Sequence, residues 1–146
     1  MAVSTEITLL YLIKQVELAV RSHLDAVASR HELTSLQYTA MTVLERHPGI
    51  TSAELARNSF VRAQTMAQMV THLEARGLIV RERDPKSRRQ FRMSLTPRGH
   101  EILDDLRERV AGIEAQMLEG LTGEESRELR AALRKCRLAL GGGHPH

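Results

Sequence analysis

The 146-residue chain is 42% hydrophobic and 27% charged, an ordinary balance for one folded domain with room for an appendage that self-associates. No apolar run approaches the roughly 20 residues that span a bilayer, the first ten residues lack the basic start and cleavage site of a secretory leader, and a lone cysteine, Cys136, excludes an intrachain disulfide and a cysteine-based zinc site. The formal net charge of +3 is unevenly spread, for residues 57–98 hold ten Lys or Arg against three acidic residues (net +7) while the remainder nets −4.

A cytoplasmic protein is expected, with no membrane partner. Aromatic residues are only 3% and tryptophan is absent, so the core must rest on Leu, Val, Ile, Ala and Met. A basic middle between acidic ends suits a segment that meets a polyanion, or else a solvated basic surface with no partner.

In chain order, Leu9, Ile13, Val16, Val20, Leu24 and Val27 recur at steps of four and three, which predicts a long amphipathic helix over 5–30. Thr34 and Gln37 form a capping box with Leu33 and Tyr38 as its staple, so a second helix starts there. It turns Leu36, Ala40, Val43 and Leu44 inward and stops at His47-Pro48-Gly49. The start signal repeats at Thr51 and Glu54, opening a short helix that Asn58-Ser59 interrupts. The next helix, over 63–76, carries Met66, Met69, Val70 and Leu73 inward, and Gly77 supplies the left-handed residue that ends it. Two short helices with a tight break make a helix-turn-helix.

Strand-like segments follow at 78–83 and 90–95, the second alternating Phe91, Met93 and Leu95 with Arg92 and Ser94. The intervening Asp84-Pro85-Lys86-Ser87-Arg88-Arg89 reads as a cationic turn, and a hairpin directly after a helix-turn-helix is a wing. Thr96-Pro97 reads as a cap with proline in the first turn. Leu103, Leu106, Val110, Ile113 and Met117 then form a heptad-like seam. Thr122 with Glu125 opens a last helix carrying Leu129, Leu133, Cys136 and Leu140, and the tail over 141–146 is expected to be disordered.

The expected fold is mainly α with a small β-hairpin wing. An N-terminal dimerisation helix (1–33) precedes a winged helix-turn-helix domain (34–97) and C-terminal dimerisation helices (98–140). The outer helices carry more apolar stripe than so small a domain needs for itself. That favours packing against a second copy, the alternative being a monomer that folds them onto its own core.

The run Leu55-Ala56, Gln64-Thr65 and Leu73-Glu74-Ala75-Arg76-Gly77-Leu78-Ile79 resembles the helix-turn-helix of the MarR (multiple-antibiotic-resistance regulator) family. The run from Arg83-Asp84-Pro85 through Arg88-Arg89 to Ser94-Leu95-Thr96-Pro97-Arg98-Gly99 resembles that family's wing and the start of its next helix. The chain departs at Ser87, where the family carries an acidic residue, and at Arg62, where it carries a small polar cap. The resemblance implies a homodimeric regulator of transcription, generally a repressor. Its recognition helices would enter successive major grooves of a pseudo-palindromic site, and its wings the flanking minor grooves. Release by a small phenolic or lipophilic effector, or by an oxidant, is also implied.

On the 63–76 helix, Gln64, Thr65, Gln68 and Thr71 lie opposite the inward face. Glutamine can bond adenine in two places and a threonine methyl can touch thymine; the alternative is an ordinary solvated face. Arg62 joins this group at the head of the helix, where it meets the major groove or its phosphates, and Arg57 and Ser59 are read as phosphate contacts. Lys86, Arg88 and Arg89 suit narrow, A·T-rich minor grooves, unless one arginine pairs with Asp84 to brace the wing.

By resemblance, an effector pocket would lie where the first, second and fifth helices meet the winged domain. His23, Val27, Tyr38, Met41 and Leu44 are its candidate lining, or else ordinary core and surface. Arg134, Lys135 and Arg137 around Cys136 suit a reactive thiolate, while its apolar-stripe position suits a buried structural thiol. The seven histidines lack ligand spacing, so no metal and no cofactor are expected. No phosphate loop, His-Glu-x-x-His or nucleophile elbow occurs, and Asp104-Asp105 are flanked by Arg107 and Arg109 as solvated pairs, so an enzyme is not expected. The competing readings are a non-specific architectural DNA-binding protein and a pure dimerisation module.

Overall fold

A threonine hydroxyl opens five of the six α-helices among the residues described, 6–141 of the computed structural model. The predicted tail over 141–146 lies, beyond Gly141, outside the described residues. Thr8 caps α1 (Leu9–Ala28), which passes through a 3-10 turn (Ser29–His31) into left-handed Glu32. Thr34 caps α2 (Ser35–Arg46) and Thr122 caps α6 (Gly123–Ala139), each in a complete capping box. Thr96 caps α5 (Pro97–Met117) with proline in the first turn. Thr51 accepts the Glu54 N–H to open α3 (Ser52–Asn58), but there the Thr51 hydroxyl bonds the Glu54 carboxylate, so the expected reciprocal half of the box is absent. The exception is α4 (Ala63–Ala75), whose cap residue Arg62 makes no capping bond.

The sheet differs from the sequence expectation in two ways. A two-residue strand, β1 (Ile50–Thr51), follows directly on the proline-glycine stop of α2. Gly49, at φ +85°, turns its N–H onto the Met93 carbonyl at 2.9 Å, so the helix stop becomes a sheet edge. The wing strand β2 (Ile79–Asp84) is shifted by one residue from the expectation and β3 (Ser87–Leu95) starts three residues earlier, with only Pro85-Lys86 between them. The Asp84 carboxylate accepts the Lys86 N–H at 2.9 Å and closes the corner, leaving the next basic residues in a strand. All pairing is antiparallel in the order β1-β3-β2, irregular only beside Arg83 and Asp84.

The core gathers Met41 and Leu44 from α2, Leu55 from α3, Met66 and Leu73 from α4, Met93 from β3 and Leu106 from α5. Gly99 lets α5 press against the sheet, since a Cβ there would lie 2.4 Å from the Leu78 carbonyl oxygen. Of the outer helices, α1 buries only Ala28 and α6 buries nothing. Leu9, Leu10, Leu12, Ile13 and Val16 on α1, and Leu133, Leu138 and Leu140 at the other end, are exposed.

Candidate nucleic-acid interface

The periodicity of α4 sorts its side chains cleanly. Met66, Met69, Val70 and Leu73 are buried, while Gln64, Thr65, Gln68 and Thr71 are exposed on the outer face. The Thr71 hydroxyl donates to the Ala67 carbonyl at 3.0 Å. Arg62 stands exposed at the head of the helix, and the first turn carries no acidic residue to offset the partial positive charge of its N–H groups. Arg57 is exposed in the last turn of α3.

Ser59 does not fit its predicted role. It is only 7% exposed, with its hydroxyl oxygen out of reach of solvent, so contact with a phosphate is ruled out in this arrangement. The polar break between two helices reads as surface in the sequence, but the chain turns it inward.

On the wing, Lys86 and Arg89 are exposed, and the Arg88 side chain lies outside what is described. Asp84 is 8% exposed and pairs with Arg92, Nε to Oδ2 at 3.5 Å, a partner from within β3. Arg92 faces Glu82 across the ladder, so it shares a side of the sheet with Asp84 two residues on.

A bracket that the sequence did not reveal ties the wing to α4. Arg81 of β2 donates through Nε and Nη2 to the Glu74 carboxylate of α4 at 3.0 and 2.9 Å. These hydrogen bonds hold the Glu74 carboxyl below its ordinary range and push the Arg81 guanidinium up. Arg81 and Arg83 also stack on Phe91 of β3, at 5.5 and 5.8 Å from the ring centre. Beside the bracket, Ala63 and Ala67 of α4 share a groove of about 360 Å³ with Arg89 and Gln90 of β3. One flank of the helix and the cationic strand therefore meet along a furrow.

The residues predicted to line an effector pocket do not form one. Met41 and Leu44 are fully buried core, Val27 packs on the core's edge and His23 is exposed. Tyr38 borders a small recess with Leu103 and Arg107 of α5, and burial pushes its hydroxyl pKa up. A larger, mainly apolar cavity of about 560 Å³ opens instead between Val20, Arg21 and Leu24 of α1, Leu36 of α2, and Ser59-Phe60 after α3. Inward periodicity cannot tell a residue that fills the core from one that borders a hollow.

Cys136 is exposed, contrary to its apolar-stripe reading, because no described residue covers that face of α6. Among the described residues no three potential metal ligands cluster, and no helix is long and apolar enough to cross a membrane.

A model of the MarR family matches residues 31–90. The HTH-type transcriptional repressor Rv2887 of Mycobacterium tuberculosis is 30% identical over 135 residues, covering 92% of this chain and 97% of that one. The crystal structure of that MarR family protein in complex with salicylic acid superimposes over 92% of this chain and 99% of that chain with a TM-score of 0.73. A crystal structure of MarR, 26% identical, covers 96% of this chain and 95% of that chain at a TM-score of 0.84. The MepR–DNA complex of S. aureus shares the fold at a TM-score of 0.82 and 22% identity, covering 92% of this chain and 99% of that chain. With a near full-length relative at this identity and a fold shared over nearly the whole chain, the chain belongs to the MarR family of winged helix-turn-helix transcriptional regulators.

Proposed function

We propose that this chain is a repressor that binds a pseudo-palindromic operator as a homodimer and releases it when a small aromatic acid enters the cavity between α1, α2 and the α3–α4 turn. The carrying observation is the exposed row Gln64, Thr65, Gln68 and Thr71 on α4, the helix whose Ala63–Ala67 flank shares a groove with Arg89 of β3. In this reading α4 reads base edges in the major groove, and Arg57 and Arg62 hold the flanking phosphates. Lys86, Arg88 and Arg89 reach the minor groove.

Self-association rests on the exposed apolar residues of α1 and α6, which exceed the scattered apolar surface of a monomer. For the effector, the cavity offers apolar walls and one cation, Arg21, beside Glu17. The salicylic acid complex of the 30% identical relative supports an aromatic acid as the class. The protein works in the cytoplasm, where its DNA is, and no catalytic step, metal or cofactor belongs to this reading.

Non-specific architectural binding would need the basic wing but not the polar row on α4, so the row favours sequence-specific regulation. The test is binding to DNA immediately upstream of the chain's own gene against a random duplex, over a salt series, with and without salicylate. A preference of about a thousandfold, reduced by salicylate, supports the proposal. Equal, weak and steeply salt-dependent binding to both duplexes favours the architectural reading.

A further inference from the structure

We propose that Glu74 and Arg81 set the angle between the wing and the recognition helix, and with it the spacing at which a half-site and its flanking minor groove are read together. Arg81 is then a positioning residue and not a DNA contact. This rests on the reading above, in which α4 enters the major groove and the wing the adjacent minor groove.

The joint between the two elements is narrow. α4 ends at Ala75, Gly77 turns the chain at φ +73°, and β2 starts at Ile79. Two hydrogen bonds pin this root. The Leu78 N–H donates to the Leu73 carbonyl at 3.0 Å, and the Thr96 hydroxyl to the Gly77 carbonyl at 2.6 Å. Beyond Leu78, the Arg81–Glu74 pair is the one hydrogen-bonded tie from the wing back to α4 among the described residues.

Both side chains are 36% exposed, and an ion pair so open to water adds little to stability. What a two-pronged pair fixes is direction. Guanidinium and carboxylate lie fork against fork, which holds β2 at one distance and one tilt from the helix. The same guanidinium lies 5.5 Å from the centre of the Phe91 ring, and Phe91 pairs with Arg83 across the hairpin. One side chain of β2 thus reaches both α4 and β3.

The furrow of about 360 Å³ runs beside this tie, with Ala63 and Ala67 on its helix wall and Arg89 on its wing wall. A helix in a major groove and a wing in the adjacent minor groove have one sugar-phosphate strand between them. That strand passes between α4 and the wing. The alanines prop nothing open, so the width of the gap follows from the Arg81–Glu74 distance. Arg81 lines the furrow too, but its charge is answered by Glu74, and exposed Arg89 is left to meet the strand.

The experiment is selection from a random duplex library by the wild-type dimer and its variants, followed by affinities of the selected duplexes over a salt series. Wild type is expected to enrich a half-site with an A·T-rich flank at one spacing. Moving that flank by one base pair should weaken binding about tenfold. Glu74→Gln, Arg81→Gln and Arg81→Lys should enrich the same half-site with the flank spread over neighbouring spacings, the shift now weakening binding about twofold, since an ammonium lacks the fork. Exchanging the two residues, Glu74→Arg with Arg81→Glu, should narrow the spacing again. Arg81→Gln should keep the wild-type salt slope, whereas Arg89→Ala lowers it by about one and keeps the spacing. If Arg81→Gln lowers the slope by about one and leaves the spacing fixed, Arg81 is a phosphate contact and the proposal falls. It falls equally if the single variants, folded by circular dichroism, select the wild-type flank at the wild-type spacing. A wild-type dimer that enriches no half-site, or a half-site with no flank, overturns instead the underlying reading of α4 or of the wing.

Discussion

The Arg76 guanidinium donates to the His31 carbonyl oxygen at 2.7 Å. Its other terminal nitrogen reaches the Glu32 carbonyl at 2.9 Å. Arg76 caps the C-terminus of α4, and His31 ends the 3-10 turn after α1. The His31 ring in turn meets the Asp105 carboxylate of α5 at 2.7 Å. One arginine thus fastens the end of the recognition helix to the joint where the outer helices meet the core. Arg76→Ala is expected to lower stability by about 1–2 kcal/mol in urea unfolding, with Arg76→Lys recovering only part, since an ammonium lacks the fork that spans two carbonyls. Equal midpoints for wild type and Arg76→Ala would deny the joint any role in stability.

Two carboxyls at these joints titrate below their ordinary range, Glu74 through hydrogen bonds from Arg81 and Asp105 through one from His31. A carboxyl lowered in the folded state contributes stability above its unfolded pKa and loses it as pH falls through the folded one. Both groups are exposed, so each contribution is small. The urea midpoint should hold steady at neutral pH and decline once pH drops below about 4.5, the ordinary Glu value. Glu74→Gln should lower the neutral plateau slightly and soften that decline. A decline unchanged in Glu74→Gln would remove Glu74 from its cause.

Arg89→Ala and Gln68→Ala should fail differently on DNA. A lost cation weakens every sequence alike and reduces the salt slope by about one. A lost base contact costs about 1–3 kcal/mol on the preferred operator and much less on a mutated one. Competition binding over a panel of single-base operator variants separates the two. If both substitutions scale all affinities uniformly, α4 does not read bases through Gln68.

Ile13, half exposed on α1 among other bare apolar residues, is suited to a charge test. Ile13→Glu should shift sedimentation from dimer to monomer and weaken operator binding with it, while the helical circular dichroism signal stays. A variant that remains dimeric would move the interface away from this face.

Gly99→Ala adds a methyl where the Leu78 carbonyl already stands, 2.4 Å from the built Cβ. Neither backbone can yield cheaply, and a loss of about 2 kcal/mol or more is expected in thermal or urea unfolding. Gly112→Ala, with nothing within 4 Å of its Cβ, is the control and should be neutral or stabilising.

The helix starts were legible because capping is local, with Thr34, Thr96 and Thr122 each bonding an N–H three residues on. β1 was not, because two residues become a strand only when a partner distant in sequence, Met93, is brought beside Ile50. The tight wing corner was hidden by its own charges, which read as loop until the Asp84 carboxylate is seen to close the turn. At the candidate site, the outward row of α4 followed from periodicity alone. The burial of Ser59 and the cavity beside it did not, since both depend on how α1 crosses the α3–α4 turn.

β3 is the middle strand of its sheet only near its end, where Met93 and Arg92 lie between β1 and β2. Towards Ser87 it has β2 alone for company. Mechanically the wing is a beam clamped at its root and free at its tip. Bending it strains two strands and a two-residue corner, and leaves the buried layer beneath undisturbed. In the proposed binding mode, grooves of unequal width would be met by flexing the beam while α4 keeps its seat, and the affinity lost on a poor flanking sequence would be set by the stiffness of this hairpin.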